Sequence, residues 1–475
     1  MPRVRVDVSS LGVGWNPTLE WYAKAVAKLQ TLPATDRTSW RYLGGIHGYK
    51  RETWISKGVI TDKDPLPPDT EWDGRMWNQC QHQGYFFLPW HRGYLHAFEE
   101  IVGATVKALG GPSDWALPYW NYFDGDSALQ MHAAFTDPKM PDKTTDNPLA
   151  APPRTNTALD KTKISLDAMK NKIYTSASGT SGFGGGVTIF KHFGGLTGAL
   201  ELNPHNSVHR RIGGFMEDPN TAGLDPIFWL HHCNVDRLWA AWLTRKDHVM
   251  EDGDAWKNGP VRKFEMPGPD GQLHAFTSAE TMPGGRLAPT YDDLQNGTGL
   301  PAVSSSLEEV EAEAMPARLS SEPPPPATLV GANSGRITIG ETAATTDVRL
   351  QPQATELAGL AAEQRVFLNL ENIRGRASSA TLTVRISAPA AASALTEGSS
   401  FSQSIDLFGL AESSGADGEH GGNGISVAID ITEIANQLAP DSGTPVEQLE
   451  VRIEQEDAEA PVTVERVSIY KQPVG

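Results

Sequence analysis

DPIFWLHHCNVDRLWAAW, residues 225–242, decides how the first part of this chain is built. A proline second in the run suits the first turn of a helix, where its missing N–H costs nothing. Leu230, Val235, Leu238 and Trp242 then share one side of a helix expected from about Pro226 to Arg245. His231 and His232 lie in its most apolar stretch. Burying an imidazole without a partner is costly, so each needs a hydrogen bond or a metal. For a single histidine a satisfied core role is the ordinary reading; for several together, metal is the more economical one.

Working outward, NPHNSVHRR (203–211) sets His205 and His209 four residues apart, on one face of a helix expected to begin near Pro204. The zinc-protease form of that spacing needs a glutamate after the first histidine, and Asn206 stands there instead. CQHQGYFFLPWHRGYLHAFEE (80–100) puts His82 and His91 around an aromatic run that would wall a site off from water, in a helix read from about Gly84 to Leu109. Asn16 and Pro17 open a scaffold helix with Leu19, Tyr22, Ala23, Val26 and Leu29 at helical spacing. Four helices with inward histidines make a mainly α catalytic domain, a four-helix bundle around metal with long loops. Imidazole suits zinc, copper, iron and nickel alike, so residue type does not choose the metal. Residues 136–195, rich in Pro, Thr, Ser, Lys and Gly, read as a long irregular excursion.

A chain of 475 residues predicts two domains of unequal size. Its net charge of -18 argues against nucleic acid or an anionic membrane as partner, and suits a small neutral substrate. Two cysteines, Cys80 and Cys233, cannot make a disulfide framework. The opening residues hold no run of signal-peptide length, and no apolar stretch is long enough to span a bilayer, so the expected location is cytoplasmic. After Pro301 the composition shifts to clustered acids, serines and the four prolines Pro323–Pro326. The expected division is therefore a catalytic domain at 1–302, a linker at 303–335, and a domain at 336–475. In the last, Val366, Leu368 and Leu370, then Leu382, Val384 and Ile386, then Val451 and Ile453, alternate as in an all-β sandwich.

LPWHRGYLHAFE, PHNSVH and DPIFWLHHCNVDRLW, in that order, resemble the motifs of the type-3 copper family of tyrosinases and catechol oxidases. The likeness covers most of residues 1–300 and implies two copper ions and dioxygen-dependent oxidation of phenols to o-quinones. Carried over residue by residue, it implies that His47, His82 and His91 hold copper A and that His205, His209 and His232 hold copper B. His47, in GGIHGYK, lies far upstream of the others, and a structural role competes. His231 is then a neighbour that hydrogen-bonds or lines the entrance, and His96 packs or faces solvent. The resemblance also implies a thioether between Cys80 and His82; a buried thiol is the other reading. Cys233 looks like core filler.

A phenol ionises near pH 10, so ortho-hydroxylation needs a group that takes its proton. The family pairs a glutamate with an asparagine for this, and Glu201 and Asn206 match; a first-turn carboxylate and a surface amide are the bland readings. Arg210 matches a position that orients substrate carboxylates, against a solvated surface arginine. Phe228 is expected beneath a ligand ring. FLNLENIRG, ISVAIDITEIANQL and VTVERVSIY are similar to the β domain of latent polyphenol oxidases, implying an intramolecular cover over the copper site, a zymogen, and a plug at Phe401 or Phe408. Alternatives are a catechol or o-aminophenol oxidase without monophenolase activity, and a hemocyanin-like oxygen carrier. Oligomeric state is not legible.

Overall fold

The computed structural model describes residues 3–68, 75–300, 317–351, 364–387, 401–415, 422–438, 448–457 and 460–473. They fall into two compact units, one of residues 1–81, 86–170 and 207–319, the other of residues 82–85, 171–206 and 320–475.

The first unit is helical. Helix α1 (Pro17–Gln30) starts where the Asn16 side chain accepts from the Leu19 N–H, and α2 (Trp40–His47) is capped by Ser39 in the same way. Helix α3 (Phe87–Ala108), α4 (Ser207–Ile212) and α5 (Pro226–Leu243) follow, α5 with Asp225 as its cap and Pro226 in its first turn. Phe98 of α3 and Trp229 of α5 stack with ring centres 3.5 Å apart. The same two helices are joined by an ion pair, Arg92 to Asp236 at 2.6 Å, with both side chains buried and the guanidinium lying over the Trp239 ring. Arg5 adds a second cation to that carboxylate.

The helix expected from Pro204 is interrupted. Glu201–Asn206 forms a wide π-type turn in which Asn203 is extended (φ -151°, ψ 125°), and α4 begins only at Ser207. Proline lacks the N–H of a helix interior and pushes the residue before it out of the helical region, which accounts for the break. His205 and His209 therefore leave the chain from a turn and a helix in succession.

The second unit is built on one eight-stranded antiparallel sheet. Its strands are β1 (Thr328–Ala332), β2 (Ala344–Leu350), β3 (Gln364–Ile373), β4 (Ser379–Ser387), β5 (Phe401–Phe408), β6 (Ile425–Asp430), β7 (Gln448–Glu456) and β8 (Arg466–Pro473). They lie in the order β5-β4-β7-β2-β1-β8-β3-β6. The alternation read at Leu382, Val384 and Ile386 does bury those residues, together with Val451 and Ile453 of the neighbouring strand. The all-β expectation holds, but a sandwich's two separate sheets are replaced by one continuous sheet curled into a near-barrel around this core. Strand β1 lies inside the stretch read as linker: Pro323–Pro326 ends just before it, and β1 pairs with β2 and β8. Residues 303–316 of that stretch lie outside the described residues. After β5 a short helix, α6 (Leu410–Ser414), turns back through Gly409. Among the described residues no helix is long and apolar enough to cross a membrane.

Candidate metal centre

Six imidazoles with predicted metal roles are buried, none more than 3% exposed. Helix α2 delivers His47 at its last residue, where the Nδ1 atom meets the carbonyl of Pro219 at 2.9 Å. His91, in the first turns of α3, bonds through Nδ1 to the Phe87 carbonyl one turn back at 2.8 Å. His209 on α4 does the same with the Met216 carbonyl at 2.6 Å, and His205 meets Asn206 Oδ1 at 2.9 Å. A ring that donates from Nδ1 keeps its lone pair on Nε2, so these contacts select the ligating nitrogen and aim it. Burial pushes the His47 ring down to about pH 4, the Pro219 carbonyl opposing weakly, so it stays neutral and able to coordinate near pH 7.

Within the helical unit the His209 and His232 Nε2 atoms face each other at 3.2 Å, and the His91 and His232 rings stack 4.6 Å apart. Phe228 lies beneath them, 4.1 Å from the His232 ring and 4.9 Å from His47, as expected. Within the β-containing unit the His82 and His205 rings are 5.8 Å apart. In the helical unit the ligand atoms of His47 and His91 fall within 4.8 Å of each other, and so do those of His209, His231 and His232 among themselves. His231 has its Nδ1 3.3 Å from the Tyr122 hydroxyl, the neighbour's role foreseen for it. Two buried sets of imidazoles suit a borderline metal such as copper and offer nothing to calcium or magnesium.

Two further proximities stand out: His82 and His192, in the β-containing unit, offer ligand atoms within 4.8 Å of each other, which was not foreseen, and Cys80, two residues before His82 in the chain, lies as near to it. This puts the cysteine close enough to His82 for the expected cross-link. His192 and the adjacent Phe193, stacked parallel on His82 at 4.8 Å, come from the irregular excursion, where no periodicity marks them.

Glu201 and Asn206 are both buried. The two carboxylate oxygens of Glu201 share the Gln83 N–H at 2.8 and 2.9 Å. Burial pushes the Glu201 carboxyl up to about 8, with the N–H groups of Gln83 and Gly198 pulling the other way. Asn206 spans two structures: its Oδ1 meets His205, and its amide donates to the Asp406 carbonyl of β5 at 3.1 Å. Arg210 pairs with Glu217 at 2.9 Å, half-buried.

Strand β5 meets the ligands elsewhere too. Phe408 sets its ring 5.6 Å from His82 and 5.8 Å from His205, whereas Phe401 packs on the sheet's own core. Gly409 follows with φ +72°, and a side chain there would clash with the Phe193 ring. Ser413 of α6 accepts from the Gln83 amide at 3.0 Å, and Gly194 N–H donates to the same amide's oxygen at 2.6 Å. The sheet thus grips residues 82–83 and 193–206 at four successive points.

Residues 37–245 match the family described as the common central domain of tyrosinase, and residues 326–472 match a domain of unknown function. A tyrosinase of Hahella sp. (strain CCB-MM4) is 34% identical over 96% of this chain and 97% of its own. The (+)-larreatricin hydroxylase of Larrea tridentata is 26% identical over 65% of this chain and 52% of that one. Among solved structures, latent apple tyrosinase aligns with a TM-score of 0.59 at 18% identity, over 99% of this chain and 98% of that chain. Recombinant latent aurone synthase aligns with a TM-score of 0.60 at 17% identity, over all of this chain and 90% of its own.

Proposed function

Because the chain belongs to the tyrosinase family, we propose that His47, His82 and His91 hold one copper ion and His205, His209 and His232 the other, and that the enzyme acts on monophenols as well as o-diphenols. The observation that carries this reading is the pair of buried imidazole groups whose ligand atoms crowd together. Copper held there would supply the redox chemistry between phenol and dioxygen, and the protein's share is everything else. Phe228, Phe193 and the aromatic run of α3 keep water from the reacting atoms, which strengthens each electrostatic contact inside. Glu201 takes the proton from the substrate hydroxyl, and Asn206 fixes the His205 ring. Arg210, tied to Glu217, is free to meet a carboxylated substrate only by leaving that pair.

In the covered form Phe408 fills the space above His82 and His205 that an aromatic substrate would take. A substrate enters when β5 withdraws, so the chain is a latent enzyme.

Oxygen uptake with tyrosine and with L-DOPA, by the copper-loaded protein intact and cut in residues 303–316, tests the whole. Uptake with both, rising once the cut protein is diluted, is expected. Uptake with L-DOPA alone would reduce the enzyme to an o-diphenol oxidase, and none with either would favour an oxygen carrier.

A further inference from the structure

A cavity of about 510 Å³ opens beside the sheet, with no histidine in its lining. One wall is the sheet itself: Asn369 and Glu371 of β3, with Arg466 and Tyr470 of β8. The other wall is Ser178 and Gly179 with Gly194–Leu196, from the segment that also carries His192 and His205.

Three features of the lining fix the kind of ligand. Leu196 is its one aliphatic side chain, whereas pockets for drug-like apolar molecules are mostly hydrophobic. Its charges cancel: Arg466 and Glu371 form a two-point ion pair at 2.9 and 2.9 Å, and Arg466 also donates to the Tyr470 hydroxyl at 3.1 Å. An anion or a cation would have to break that pair, a cost no other charge in the lining offsets. Donors and acceptors are mixed and held in place, the buried Asn369 amide by its bond to the Gly179 carbonyl at 2.9 Å. A neutral molecule carrying many hydroxyls, each both donor and acceptor, matches such a wall group for group.

We infer that this cavity, lined by the Glu371–Arg466 pair, asparagine amides and glycine backbone, is a binding site for a neutral polyhydroxylated ligand of the sugar class. A ligand there touches both the sheet and the 178–196 segment. It therefore stabilises the arrangement in which the two are held together, the same arrangement that keeps Phe408 over the ligand rings.

The experiment is calorimetry and saturation-transfer NMR on the intact protein with maltose and glucose, and with inorganic phosphate as the charged comparator. Maltose is expected to bind with a Kd of about 0.1–10 mM, as befits a small polar contact, and to raise the Tm. Asn423→Trp and Ser178→Trp start from exposed side chains on opposite walls, so neither disturbs the core, and each should weaken maltose binding at least about tenfold. Binding that survives both tryptophans, a preference for phosphate, or no binding of either sugar up to about 50 mM would overturn the inference. None of these readouts depends on phenol oxidation.

Discussion

In the proposed reaction, Glu201 is the residue on which the choice between two activities turns. Its carboxyl titrates near 8 in the covered protein because it is buried, so it is largely protonated at neutral pH. A base works only when ionised, hence monophenolase activity should rise as pH passes through about 8, while o-diphenol oxidation, which needs no such base, should lack that limb. Glu201→Gln should cut monophenolase kcat by about 10²–10⁴-fold and change diphenolase kcat far less. Parallel pH–rate profiles on tyrosine and L-DOPA check both, and an equal loss on the two substrates would mean that Glu201 supports the fold of the 201–206 turn instead. Much of this was legible in the sequence. HHCNVD sits on helical spacing amid apolar residues, and its geometry follows from periodicity, whereas in PHNSVH the helix begins only at Ser207, after the break at Pro204. His192 and Phe193 were not legible, because a loop imposes no period and their nearness to His82 is set by long-range bonds, from His82 N–H to the His192 carbonyl and from Gly194 N–H to the Gln83 side chain.

Among elements, α3 and α5 bring His91 and His232 face to face, and the Arg92–Asp236 pair helps to hold the helices at that register. Removing one partner leaves a buried charge uncompensated, so Asp236→Ala should destabilise the helical unit by about 3–5 kcal/mol, read by denaturant unfolding, and weaken copper retention in parallel. The motif residues Arg and Asp after the histidines thus act as a clamp, a role no spacing argument assigns. Strand β5 is the other decisive element. Phe401 and Phe408 are seven apart, an odd number, so they point to opposite faces of the strand. Sequence alone could not say which face met the ligands; the register with β4, where Phe408 pairs with Ser379, decides it. Phe408→Ala should raise the intact enzyme's rate on L-DOPA several-fold, whereas Phe401→Ala should cost stability of the sheet and leave that rate low. Gly409→Ala meets both a positive φ and the Phe193 ring, so it should also raise the basal rate, measured by oxygen uptake without proteolysis.

Across the whole molecule, the division into compact units does not follow the division a reader of the sequence would make. Composition changes sharply near Pro301, and that boundary is visible because acids, serines and prolines cannot build a core. The structure instead groups residues 82–85 and 171–206 with the sheet, since Leu202 packs into the sheet's core and Leu196 bridges to Ser426. Such long-range packing leaves no local trace in a sequence. A cut in residues 303–316 should therefore leave the β domain in place: the two fragments should co-elute on size exclusion at micromolar concentration, and activity should climb only on dilution or in mild denaturant.

The four-point grip of β5 and α6 on the histidine-bearing stretch turns proteolysis from a switch into a licence. Once the tether is severed the cover becomes a separate molecule with an affinity of its own, and how much enzyme is awake is then a matter of mass action. Crowded at its source, a cleaved preparation would stay quiet; spilled into a larger volume, it would wake without any further signal, and gathering the fragments again would put it back to sleep.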